Sequence, residues 1–154
     1  MTAAPDKSHL VLLVEDDPFK EERLSGALRI AHPVSSIKVA RTVQQAVELV
    51  RRTTYDLIVL DMSLPSHEMR PGGAQPISQP SGGLEVLFEL HYDERHDKVV
   101  IVTQYPEIEY EGRMYTLSAF PRAMRRKIMV NVAAVVGFSL RSDGWKKSFM
   151  EAVQ

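Results

Sequence analysis

Leu10-Val11-Leu12-Leu13-Val14, Leu57-Ile58-Val59-Leu60, Val99-Val100-Ile101-Val102 and Val135-Val136-Gly137-Phe138 are continuous apolar runs. Each is too short for a typical helix and too continuous for a half-exposed strand, which predicts strands buried on both faces. Ile37-Lys38-Val39-Ala40 alternates, as a strand at a sheet edge does. Between these runs the apolar period becomes helical. Leu24, Ala27, Leu28 and Ala31 share one face, as do Val43, Ala46, Val47 and Val50 after a possible Thr42 cap. Leu84, Leu87, Phe88 and His91 repeat the pattern, Trp145, Phe149, Ala152 and Val153 predict a last amphipathic helix, and residues 122–132 are a less regular candidate. Strands alternating with helices in this way predict an α/β fold with a parallel sheet covered on both faces.

Two stretches break the rhythm. Residues 66–83 hold Pro71, Pro76 and Pro80 with Gly72, Gly73, Gly82 and Gly83, and residues 104–121 hold Pro106, Gly112, Pro121 and the acidic Glu107, Glu109 and Glu111. Both are expected to be long inserted loops, with residues 1–8 an N-terminal tail, in a single domain spanning 1–154. That length and 44% hydrophobic residues suit one sizeable core. A net charge of −1 offers no field for nucleic acid or an anionic membrane. The absence of cysteine removes disulfides and thiolate chemistry and fits a reducing compartment. No apolar stretch approaches the roughly 18 residues of a membrane span, so the chain is expected to be soluble and cytoplasmic.

The chemistry is expected where the strands end. The first run leads into Glu15-Asp16-Asp17, the third strand into Asp61, the fourth into Thr103 and the fifth toward Arg141. In an open parallel sheet the ligand crevice lies beyond the carboxyl ends of the strands, so these residues should converge. Clustered carboxylates repel unless a cation sits among them, and oxygen ligands of this kind suit Mg²⁺ or Mn²⁺. Asp17 reads more simply as a cap for a helix starting at Pro18. The cluster Arg122, Arg125, Arg126 and Lys127 reads either as a solvated helix face or as a partner surface.

Val14-Glu15-Asp16-Asp17-Pro18, Leu60-Asp61-Met62-Ser63-Leu64-Pro65, Thr103 after an apolar strand, and Phe138-Ser139-Leu140-Arg141 together resemble the ordered signatures of response-regulator receiver domains. The resemblance implies a flavodoxin-like doubly wound sheet of five parallel strands in the order 2-1-3-4-5, with helices on both faces. It makes Asp61 the phosphoacceptor of a two-component phosphorelay. Asp16 would ligate the metal directly, Glu15 through water or by supporting Asp16, and the Ser63 backbone carbonyl would add an oxygen. Thr103 would bond a phosphoryl oxygen, and Phe138 would be the aromatic that reorients with it. The donor would be a sensor histidine kinase or histidine phosphotransfer protein, and the output an unknown downstream protein. A non-enzymatic switch without direct nucleic-acid contact is therefore expected, and because the chain stops after the fifth helix, no output domain.

The family places a lysine three residues after the switch aromatic and a proline after it, where this chain has Arg141 and Ser142. Arg141 is the possible substitute. The departure also supports a pseudo-receiver, a binding module that works without phosphorylation. A Mg²⁺-dependent phosphatase of the haloacid-dehalogenase type would need Asp-x-Asp after the first strand, which Glu15-Asp16-Asp17-Pro18 does not supply.

Overall fold

The structure is a computed structural model that describes residues 9–33, 35–67, 72, 78–79 and 82–154. Strands β1 (Leu10–Val14), β2 (Ser36–Ala40), β3 (Leu57–Leu60), β6 (Val99–Thr103) and β9 (Val132–Gly137) form one parallel sheet in the order β2-β1-β3-β6-β9. Numbering only these five strands gives the expected order 2-1-3-4-5.

The runs of β1, β3 and β6 are continuous because each of these strands feeds two cores, whereas Val135-Val136-Gly137-Phe138, expected to be buried on both faces, falls in the partly exposed edge strand β9 and just past its end. Leu12, Val14, Ile58, Leu60 and Ile101 face helices α2 (Val43–Arg52), α3 (Gly83–Tyr92) and α4 (Phe120–Ile128). Their neighbours Val11, Leu13, Leu57, Val59, Val100 and Val102 face α1 (Pro18–Ala31) and α5 (Gly144–Val153). Alternate residues of a strand point to opposite faces, so both phases must be apolar. Each wholly buried Leu or Val contributes about 1.5–3 kcal/mol. The edge strand β2 alternates in burial, as its sequence does.

Helix starts follow local chemistry. Asp17 caps α1, its side chain accepting from the N–H groups of Phe19 and Lys20, with Pro18 in the first turn. Thr42 Oγ1 accepts from Gln45 N–H at 3.1 Å and caps α2. Gly83 opens α3, donating its N–H to the Met62 carbonyl at 2.9 Å. A β-carbon at Gly83 would lie 2.7 Å from the Asp61 carbonyl oxygen and 2.9 Å from Met62 Cα. Glycine therefore lets α3 press against the strand end that carries Asp61. At the opposite end of the sheet, the Arg95 fork grips Asp97, whose Oδ2 also accepts from Tyr55 N–H at 2.7 Å. Arg95 further donates to the carbonyls of Val50 and Thr53, tying the end of α2 to the loop before β6.

Residues 104–121 differ from the expected irregular loop. They contain an antiparallel hairpin, β7 (Glu107–Tyr110) and β8 (Arg113–Thr116), and the start of α4. The tip is Glu111-Gly112, with φ of 52° and 76°, the positive dihedrals that a two-residue hairpin turn demands. Ile108, Tyr110 and Tyr115 are buried from the hairpin into the core with Phe120 and Met124. The hairpin also binds α4 through Lys127, 3.5 Å from Glu111 and stacked over Tyr110. The helix expected over 122–132 is α4, which stops at Ile128 because Met129 turns left-handed with φ 54°, and Val132 begins β9. Of the other insertion, β4 (Leu64–Pro65) pairs with β5 (Ser78–Gln79). The loop expected over 66–83 lies largely outside the described residues, as does the 1–8 tail.

Candidate functional site

Backbone bonding carries the sheet past its strand ends and sets the carboxylates side by side. Asp61 N–H donates to the Val14 carbonyl and Glu15 N–H to the Ala40 carbonyl, both at 3.0 Å. Ligand oxygens of Glu15, Asp16 and Asp61 then lie within 4.8 Å of one another. A cleft of about 180 Å³ opens over them, lined by Glu15, Asp16, Asp17, Lys20, Asp61, Ser63, Gln104 and Tyr105. Glu15 and Asp61 are buried, whereas Asp16 is exposed at the lip. Ser63 N–H donates to Asp61 Oδ1 at 3.2 Å and Asp17 N–H to Glu15 Oε1 at 3.1 Å.

Lys20 is the residue that sequence reasoning missed. Its Nζ, almost wholly buried, is 2.9 Å from Glu15 Oε2 and 3.4 Å from Asp61 Oδ1, and donates to the Val102 carbonyl at 3.1 Å. The signal for it was present. Lys20 precedes Leu24, Ala27 and Leu28 by four, seven and eight residues, which places it on the buried stripe of α1. A lysine in that phase needs an acidic partner inside the fold.

Burial shifts both carboxyls upward. Glu15 is pushed up to about 8, chiefly because burial disfavours its charge, with Asp61 adding to the shift and Lys20 opposing it. Asp61 also moves up from burial, against the pull of Lys20 and the Ser63 N–H. Glu15 Oε2 is buried with no hydrogen bond beyond its ion pair with Lys20. A carboxylate oxygen left with free lone pairs beside two further carboxylates fits a hard divalent cation.

Thr103 and Phe138, the pair expected to act as a switch, are both buried and lie outside the cleft lining. Thr103 ends β6, fully buried, and its Oγ1 accepts from Tyr105 N–H at 3.1 Å. Its carbonyl accepts from Phe138 N–H at 2.8 Å. Phe138 packs on Trp145 with ring centroids 4.9 Å apart, and Lys20 Nζ lies 5.5 Å from its ring. Arg141 is not brought to this group. It sits exposed on the turn between β9 and α5, outside the cleft lining, its N–H donating to Ser139 Oγ at 3.2 Å. The strand ends at Gly137, and the chain then turns out into solvent before α5.

Residues 11–121 match the model of the response regulator receiver domain. The chain belongs to that family. It is 38% identical over 145 residues to the Detocs response regulatory protein DtcB of Vibrio alginolyticus, covering 92% of this chain and 97% of that protein. Among solved structures it resembles the chemotaxis response regulator CheY4 of Vibrio cholerae, with a TM-score of 0.61 at 12% identity over 96% of this chain and 98% of that one. The response regulator TrrA of Thermotoga maritima, solved in complex with Mg²⁺-BeF, gives a TM-score of 0.56 at 21% identity over 94% and 98%. The receiver domain thus keeps the family's sheet order and its acidic cleft. Among its described residues no helix is long and apolar enough to cross a membrane.

Proposed function

We propose that this receiver domain is a phosphoaspartate switch in a two-component relay, with Asp61 the acceptor. The observation that carries the reading is a buried strand-end carboxylate sharing one cleft with two more carboxylates and an ammonium. An aspartate oxygen is a weak nucleophile, so the site must hold phosphorus in line and balance the charge on its oxygens. Glu15, Asp16 and Asp61, with the Ser63 carbonyl, would hold Mg²⁺ or Mn²⁺, which when bound supplies that charge balance. The Asp61 oxygen forms a bond to phosphorus as the P–N bond of a partner's phosphohistidine breaks. The electron pair stays on the imidazole nitrogen, which takes a proton from the medium. The partner, a histidine kinase or phosphotransfer protein, reaches the cleft past the exposed Asp16 and Tyr105.

Thr103 then exchanges its bond with Tyr105 N–H for one to a phosphoryl oxygen, and Phe138 follows because its N–H hangs on the Thr103 carbonyl. The outcome is a shift between two packings of β6, β9 and their helices, read by a downstream protein from a regulatory module. The test is intact mass after incubation with acetyl phosphate and Mg²⁺. The wild type should gain one phosphoryl group and Asp61→Asn none. Equal gain in both, or none in the wild type, refutes the reading.

A further inference from the structure

The cleft needs a fixed cation for the phosphoryl oxygens, and the fifth strand does not provide it. We propose that Lys20, on the first turn of α1, is the side chain that binds the phosphoryl group on Asp61. This assignment rests on Asp61 being the acceptor.

Lys20 is the one basic side chain lining the cleft among the described residues. Other candidates are committed elsewhere: Lys127 pairs with Glu111, Lys146 with Asp143 at the start of α5, and Arg141 and Lys147 are exposed. An ammonium has three N–H donors. The Nζ of Lys20 meets three acceptors, the Glu15 carboxylate, the Val102 carbonyl and Asp61 Oδ1. The first two anchor it from within the fold, and the third belongs to the carboxylate that would carry phosphorus. Once Asp61 bears the phosphoryl group, its negative charge moves outward onto the phosphoryl oxygens, to which the third N–H can donate. No proton leaves Lys20 in this step. The chain holds this lysine ready, since burial fixes its stem and Asp17 caps the turn it stands on. The same anchored ammonium rests over the Phe138 ring, 5.5 Å from its centroid, so the cation also touches the aromatic that follows β9.

The experiment compares wild type, Lys20→Met, Lys20→Arg and Arg141→Ala for phosphorylation by acetyl phosphate, for beryllofluoride affinity, and for Mg²⁺ affinity by calorimetry. Lys20→Met should lose about tenfold or more in phosphorylation rate and beryllofluoride affinity, the effect of one charged hydrogen bond. It should bind Mg²⁺ more tightly, because a positive charge has left the carboxylate cluster. A merely structural lysine would not split the two affinities in opposite directions. Lys20→Arg should recover part of the loss, and Arg141→Ala should match wild type throughout. Wild-type phosphorylation of Lys20→Met, a loss of Mg²⁺ and beryllofluoride binding together, or a loss in Arg141→Ala each overturns the assignment while leaving Asp61 as acceptor. A wild type that takes up neither group overturns the acceptor reading and this assignment with it.

Discussion

Glu15→Gln should stabilise the metal-free protein at neutral pH. Glu15 is 1% exposed, and its carboxyl is pushed up to about 8 from an ordinary 4.5. A carboxyl whose folded pKa lies above its unfolded one contributes stability that is complete below the unfolded value and lost as pH rises through the folded one. Each pH unit inside that window is worth about 1.4 kcal/mol, so a Glu15 that is neutral in the fold but ionised in the unfolded chain makes a difference of about 3 kcal/mol at neutral pH. Glutamine has the same shape and never ionises, while Lys20 keeps Asp61 and the Val102 carbonyl. Urea unfolding of both proteins in chelator, from about pH 5 to about pH 8, measures the difference. The two should nearly agree at the acid end and separate by about 1.4 kcal/mol per pH unit above it, to about 3 kcal/mol near neutral pH. At neutral pH the variant should melt about 6–12 °C higher. Saturating Mg²⁺ should close the gap, since an ion stabilises only the chain with the intact ligand set. A difference that stays flat with pH refutes the reasoning, because Glu15 would then be ionised throughout with Lys20 balancing it.

Gly83→Ala should cost about 2 kcal/mol or more in urea unfolding, since its β-carbon meets backbone on the Asp61 strand end. Gly26→Ala, exposed in mid-α1 with nothing within 4 Å of the new carbon, should gain about 0.5–1 kcal/mol, and equal effects at the two sites would refute the packing around Gly83. Asp97→Ala leaves Tyr55 N–H and the Arg95 fork without their acceptor and should cost about 3–5 kcal/mol. A loss under about 1 kcal/mol would mean that this clasp behaves as a surface pair.

The three central strands were legible because burial on both faces leaves no polar phase, and β1 and β3 coincide with their apolar runs, while the edge strand β2 was legible from its alternation. The acidic half of the site was legible for a related reason. Residues that end parallel strands share one edge, so the register of β1 with β3 brings Glu15 and Asp61 together without long-range guesswork. Two features escaped. In the hairpin, Glu107, Glu109 and Glu111 read as an acidic run, whereas Ile108 and Tyr110 between them are the buried phase of a strand. At the site, attention to the fifth strand hid Lys20, whose partners come from three different strand ends. Motif order along a chain records where a family usually keeps a charge. It does not record that the same point in space can be reached from another helix.

The β7–β8 hairpin alters what a neighbour can grip. Tyr115 stacks edge-on against Phe120 at the start of α4, and Glu111 at the tip meets Lys127 in its last turn, so the hairpin spans the helix from end to end. Arg113 and Tyr115 line one concave surface with Arg122 and Arg126. A protein that docks on this face meets β8 and α4 together rather than a bare helix. The hairpin thus gives this face a concave, basic shape that the fourth helix alone would not have.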